Sequence, residues 1–318
     1  MAVLPRSSGS ECRHACSVFE RDLKNSIRHR VEEEPMTNRL QWDVFISGQI
    51  STITNDLPPG ASEMKWSPIS STLISGKRDA VLVDTAITVE QNQKLAEWIA
   101  ASGKNLTAIY ATHGHGDHFF GVNTIRKRFP NTQFVATGEV IAVMQKQASA
   151  PVVSAFWKVR FPGQIDSTLV IADELKECVI ELEGEQLVSV PLGHTDTDST
   201  TCLHVPSIGL VVAGDSAYND VHLHLGESNA ETRKDWIAAL DTIESLKPAA
   251  VVAGHKRPGA TDTPNIIEET RKYIRDFDRT AANTHTALEL YHQMLVLYPD
   301  RVNPAVLWNS TRAVKHGS

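Results

Sequence analysis

The order of apolar and polar positions divides the chain into a polar opening, two strand-rich stretches and a helical close. Residues 1 to about 40 show no sustained periodicity and include the acidic run "VEEEP", which predicts a polar N-terminal extension. Short β-rich runs follow, "DVFISGQI", "SSTLISG" and "DAVLVDTA", separated by glycine and proline turns. "TVEQNQKLAEWIAASG" puts Leu95, Ile99 and Ala100 at helical spacing, with Gly103 as the stop. "LTAIYAT" is a continuous apolar strand; a helix ending at "RFPNT" and the strand "QFVAT" come after it. "GEVIAVMQKQASAPVVSAFWKVRFPG" predicts a mostly helical stretch broken at Pro151.

The second stretch repeats this alternation without repeating the sequence. "CVIELEG", "EQLVSVPLGH", "TTCLHVP" and "IGLVVAGD" read as strands, "AETRKDWIAALDTIESLK" as a helix, and "AAVVAGH" as a last strand. Two strand-rich halves, each followed by helix, predict an α+β fold over residues 41–260, with two sheets face to face and helices outside. Residues 264–298 are helical by period, so residues 261–318 are expected to form a C-terminal helical appendage packed on that domain. The segment "HTALELYHQMLVLYP" is apolar enough to dock on its own subunit or on a second copy, which leaves homo-oligomer formation open.

Composition narrows the function classes. The 318 residues are 41% hydrophobic and 22% charged, ordinary for a soluble globular protein. A net charge of −7 disfavours nucleic acid or an anionic membrane held by a basic surface, so a small-molecule partner is expected. Four cysteines are too few for a disulfide scaffold at this length. Cys178 and Cys202 fall in strand-like runs and read as buried thiols, and "CRHAC" (Cys12, Cys16) as part of a solvated segment. There is no bilayer-spanning apolar run and no apolar signal core at the N-terminus, which favours a cytoplasmic location over a mitochondrial presequence.

The chemistry concentrates at strand ends. In "ATHGHGDHFFG", His113, His115, Asp117 and His118 follow the strand "LTAIYAT"; His194, Asp215 and His255 each follow a glycine at the end of a later apolar strand. A lone loop histidine is ordinarily a surface residue. Four separate strand ends all carrying His or Asp are hard to explain by packing. Imidazole with carboxylate suits a borderline cation such as Zn²⁺, and seven such groups exceed one tetrahedral site. They suit two ions that share a carboxylate and activate a water molecule.

On these residues the chain resembles the metallo-β-lactamase superfamily, whose signature H-x-H-x-D-H with a later His, Asp and His reads here "HGHGDH", "GHT", "GDS" and "GHK". The resemblance covers about residues 45 to 258 and implies a four-layer αβ/βα sandwich and two Zn²⁺ per chain. It implies that His113, His115 and His194 bind the first metal, that Asp117, His118 and His255 bind the second, and that Asp215 bridges them. Asp215 stands where cysteine-ligated zinc lactamases have their cysteine, and His115 where flavodiiron relatives have glutamate. "GDSAY" puts Tyr218 three residues after Asp215, as in acyl-homoserine lactone hydrolases, which implies a hydroxyl facing the substrate carbonyl.

Together these imply a dinuclear zinc hydrolase that opens a lactone or lactam ring with a metal-bridging hydroxide, with Asp117 and Tyr218 as catalytic residues. His222, Phe119 and Trp66 are candidate substrate contacts, although solvated loop or core packing would account for the first two. Asp84, Thr195, Asp196 and Asp198 are candidate orienting partners of the ligands, and Lys256 and Arg257 candidate contacts for an anionic substrate. A glyoxalase II-type thioester hydrolase, a mononuclear-iron sulfur dioxygenase and a binding protein with a vestigial site remain as rivals.

Overall fold

The computed structural model describes residues 39–316; residues 1–38, with "CRHAC" and nearly all of the expected extension, lie outside them. One mixed sheet contains β1 (Gln41–Ile46), β4 (Ser70–Ser75), β5 (Asp79–Val83), β6 (Asn105–Tyr110), β7 (Gln133–Ala136) and β8 (Asp173–Glu174), in that spatial order. The other runs β13 (Ala250–Lys256), β12 (Leu210–Asn219), β11 (Thr200–Val205), β10 (Glu185–Gly193), β9 (Val179–Leu182). A two-stranded ribbon, β2 (Ser51–Thr52) with β3 (Met64–Lys65), carries the chain over the site end.

Alternation along the central strands explains the layers. In β5, Ala80 and Leu82 enter the core beneath the helices of the first half, whereas Val81 and Val83 enter the core between the sheets. In β12, Val211 and Ala213 face the outer core of the second half, while Leu210 and Val212 face Val81 and Val83 across the middle. A strand apolar on both faces must be covered on both. The result is three apolar layers between four layers of structure, the expected αβ/βα sandwich.

Helix α1 (Val89–Ala101) starts from a capping box in which Thr88 and Gln91 satisfy each other's backbone N–H groups. After β6 come two short helices, α2 (Gly116–Phe119) and α3 (Val122–Arg126), then α4 (Gly138–Gln147) after β7. The helical run does stop near Pro151, but it resumes with that proline in its first turn and continues through a π turn, Val153–Trp157. In the second half α5 (Thr232–Ser245) and α6 (Asn265–Ala282) cover β12. The Trp236 indole donates to the Ser216 carbonyl at 2.9 Å, and the Tyr218 amide donates to Thr270 Oγ1 at 3.1 Å. These two bonds fix the backbone on either side of the stretch that begins at Asp215.

Helices α7 (Ala287–Leu297) and α8 (Pro304–His316) close the chain. Periodicity stopped at residue 298 and did not single out α8. Its Ser310 hydroxyl is buried and accepts from the Leu225 amide at 2.9 Å, so the helix packs where the chain leaves β12. One expectation is corrected: Cys178 is disulfide-bonded, while Cys202 is buried as expected. Among the described residues no helix is long and apolar enough to cross a membrane.

Candidate metal centre

The strand ends converge. β6 delivers the motif loop and α2; β12 and β13 bring Asp215 and His255 against it, and the turn after β10 brings Asp196. Register shifts let the later strands reach. β10 shifts between Pro191 and Gly193, and β12 shifts at Gly214, whose φ of +54° only glycine adopts readily. A Cβ on Gly254 would lie 2.1 Å from Asp215 Oδ1 and 2.8 Å from the Gly214 carbonyl carbon, so a side chain there would displace the carboxylate.

Each of the five imidazoles is oriented by an oxygen on its outer nitrogen. His113 Nδ1 donates to Thr112 Oγ1 at 2.9 Å, and that hydroxyl donates to Asp84 at 2.8 Å. His118 Nδ1 donates to Asp84 Oδ2 at 3.1 Å. His255 Nδ1 donates to the Pro68 carbonyl at 2.8 Å, and His194 Nδ1 to Asp198 at 2.6 Å. His115 is reversed, its Nε2 facing Glu227 Oε1 at 3.3 Å. A neutral ring that gives its proton outward presents a lone pair inward, the usual arrangement of a metal-binding histidine.

The inward atoms are without partners. His113 Nε2, His118 Nε2, His194 Nε2, Asp196 Oδ2 and Asp215 Oδ1 are all buried and make no hydrogen bond. Buried polar atoms are nearly always paired, and four of these orphans, on His113, His118, Asp196 and Asp215, belong to groups of converging ligand atoms, which call for a cation. Asp117, His118 and His255 form one group of converging ligand atoms, and His113, His115, Asp196 and Asp215 another. Asp215 belongs to both: Oδ1 lies 3.3 Å from His118 Nε2, and Oδ2 3.1 Å from His255 Nε2. The donor set and the orphaned atoms therefore fit divalent metal ions.

The electrostatics agree. Burial would raise the Asp215 and Asp117 carboxyls, but the surrounding imidazoles outweigh it and hold both below the usual range, Asp215 well below. Burial likewise opposes protonation of His118, and Asp215, Asp117 and Asp84 reverse it, raising that imidazole to about 10. Against burial, the carboxylates likewise raise His115 and His255, whereas burial and the neighbouring His118 lower His113.

A cavity of about 710 Å³ opens beside these atoms, lined on the metal side by His115, Asp117, Asp215, Tyr218 and His255. Trp66, Phe156 and Trp157 make its apolar wall, and Asn303, Val306 and Asn309 bring in the C-terminal helix. Trp66 does more than line it: its indole donates to Asp117 Oδ2 at 2.9 Å. The Tyr218 hydroxyl donates to Asp215 Oδ2 at 2.9 Å.

Other expected contacts lie elsewhere. His222 is fully buried with Nδ1 2.8 Å from the Tyr273 hydroxyl, and His224 lines the cavity instead. Phe119 is fully buried in the core of the first half, packed on Phe120. Lys256 is buried against Asp262, and Arg257 pairs with Asp220 at 3.2 Å; neither lines the cavity. Asp84 hydrogen-bonds Thr112 and His118, and Asp198 hydrogen-bonds His194. His194 is not in the converging group at the first position, where Asp196 stands. Glu227 and the Pro68 carbonyl were not anticipated, because their imidazole partners lie 112 and 187 residues away in sequence.

Residues 64–255 match the sequence model of the Metallo-beta-lactamase superfamily, and the chain belongs to that superfamily, whose members are generally metal-dependent hydrolases. A metallo-beta-lactamase family protein of Thermus thermophilus shares its fold, with a TM-score of 0.57 at 20% identity over 85% of this chain and 91% of that one. A beta-lactamase domain protein from Burkholderia ambifaria gives a TM-score of 0.59 at 15% identity, with 90% of each chain covered. A metallo-beta-lactamase from Pontibacter korlensis gives 0.51 at 16% identity, over 75% of this chain and 100% of that one. No curated protein matches the sequence.

Proposed function

We propose that this protein is a dinuclear zinc hydrolase that opens a carbonyl-containing ring, a lactone or a lactam. The observation that carries the proposal is the set of inward-facing, unpartnered imidazole and carboxylate atoms at the wall of an apolar cavity. His113, His115 and His194 would hold the first ion, Asp117, His118 and His255 the second, and Asp215 both. Two such ions supply an activated water and Lewis-acid stabilisation of a carbonyl.

The chain's own groups do the rest. Trp66, Phe156 and Trp157 exclude water and take up the apolar part of the substrate. Tyr218 presents its hydroxyl at the metal side of the cavity, where it can turn from Asp215 to a carbonyl oxygen that gains negative charge. Burial, then Asp215, raises that phenol well above its ordinary range, so it stays a donor at neutral pH. Lys256 and Arg257 lie away from the cavity, and the cationic side chains on its wall are instead Lys65 and Arg160, so the thioester rival is left to the substrate screen.

The test is metal analysis with a comparative screen of lactones, β-lactams and thioacyl-glutathione. About two zinc ions per chain and turnover of a ring substrate are expected. One iron per chain with oxygen uptake would overturn the proposal. Asp117→Ala should abolish that turnover while leaving the circular dichroism spectrum unchanged; turnover like that of the wild type would remove Asp117 from the mechanism.

A further inference from the structure

We infer that Asp196 is an additional ligand of the first metal position, so that this position carries a carboxylate besides its imidazoles. The inference rests on the metal-dependent reading above and goes beyond its seven ligands.

Asp196 is fully buried. One of its oxygens is held: the Thr195 hydroxyl donates to Oδ1 at 3.0 Å. The other, Oδ2, accepts no hydrogen bond and points into the site, 3.0 Å from His115 Nδ1 and 3.8 Å from His113 Nε2. His115 stands between two carboxylates, with Nε2 3.3 Å from Glu227 Oε1 and Nδ1 3.0 Å from Asp196 Oδ2. His113, His115, Asp196 and Asp215 each bring one buried ligand atom within 4.8 Å of the others, a cluster of donors and acceptors that one cation can hold. Two ligand atoms about 3 to 3.5 Å apart are what a single ion with bonds of about 2.0 to 2.2 Å would hold.

Charge points the same way. Asp84, Asp117, Asp196 and Asp215 are all buried around the centre, and two divalent ions would match their four charges. The backbone is built to put Asp196 there. The Thr195 amide donates to the Thr197 carbonyl at 2.9 Å, folding the chain back between His194 and β11. Thr197 in turn donates to Glu227 Oε2 at 2.8 Å, so one turn carries Asp196 and steadies the partner of His115.

A carboxylate at this position makes it harder and more oxygen-rich, which favours Mn²⁺ relative to Zn²⁺. The experiment compares Mn²⁺ and Zn²⁺ affinities by competition with a chromogenic chelator, for the wild type, Asp196→Asn and Asp198→Asn. Asp196→Asn is expected to lose more than about tenfold in Mn²⁺ affinity at one position and to lose less for Zn²⁺, so that the ratio moves. Asp198→Asn, which touches only the outer face of His194, is expected to leave the ratio in place.

Equal losses for both metals in Asp196→Asn, or none, would overturn the assignment while leaving the metal-dependent reading intact. A wild-type protein that takes up neither metal would overturn both. Folding of the variant is removed from the question by a crystal structure of the wild type soaked in Mn²⁺. An Asp196 oxygen bonded to the ion supports the inference, and one that remains outside its ligand sphere refutes it.

Discussion

The two ends of the sandwich treat carboxylates in opposite ways. At the far end, Glu183, in the turn between β9 and β10, reaches the turn between β4 and β5 in the other sheet. It accepts backbone N–H bonds from Lys77, Arg78 and Asp79 at 2.8, 2.7 and 2.8 Å. At the near end Asp196 and Asp215 each keep a buried oxygen with no donor. A satisfied carboxylate clips two sheets together; an unsatisfied one waits for a cation. They differ in burial as well as in donors: Glu183 is partly exposed, whereas Asp196 and Asp215 are buried.

The comparison can be broken most severely at Asp215, which belongs to both groups of ligand atoms. Asp215→Ala should cut activity by more than about a hundredfold, beyond the loss typical of a ligand's outer partner. It should also abolish the rise in melting temperature that metal gives the wild type, a rise expected of any ligand that binds only the folded state. Scanning calorimetry with and without zinc checks this. Asp84→Asn leaves the ligands in place but weakens the orientation of His113 and His118. Metal affinity should fall about 10- to 100-fold by chelator competition, with the fold unchanged.

Gly254→Ala pushes a methyl group at Asp215 and at the backbone of Gly214, a position that cannot give way cheaply. A loss of about 1 to 3 kcal/mol in urea unfolding is expected, with weaker metal binding as its companion. Glu183→Gln, at the far end, should produce the smallest effect and a different one: a slightly lower melting temperature at pH 7 and unaltered metal affinity. Its pH profile sharpens the contrast. Backbone N–H donors lower Glu183 from 4.5 to about 2 in the folded protein. The stabilisation it gives is therefore full above about pH 4.5 and fades as the pH falls toward 2. The gap in melting temperature between the wild type and Glu183→Gln should close over that window.

Much of the near end was legible in the sequence because its first half is local. His113 to His118 lie within six positions after one strand, and the fold places them together without help from distant contacts. Asp215 and His255 were legible for another reason: each ends a wholly apolar strand after a glycine, and parallel neighbours in one sheet bring such ends side by side. The layers were legible from strands apolar on both faces. Glu227, the Pro68 carbonyl and the Trp66 contact were not, since each depends on how a loop from one part of the chain lies over another. His222 misled because "HLH" offers two histidines of opposite orientation, and the Tyr273 hydroxyl buried beneath the loop takes the first.

The Trp66 indole bonded to Asp117 also gives the protein an optical property. This ring packs against Trp157 and Phe161, with centroids 5.6 and 5.5 Å away, while its N–H rests on a carboxylate at the centre. Charge arriving at that carboxylate would change the field along the indole dipole, so metal binding is expected to shift the contribution of Trp66, one of six tryptophans, to the native fluorescence, readable without label or substrate.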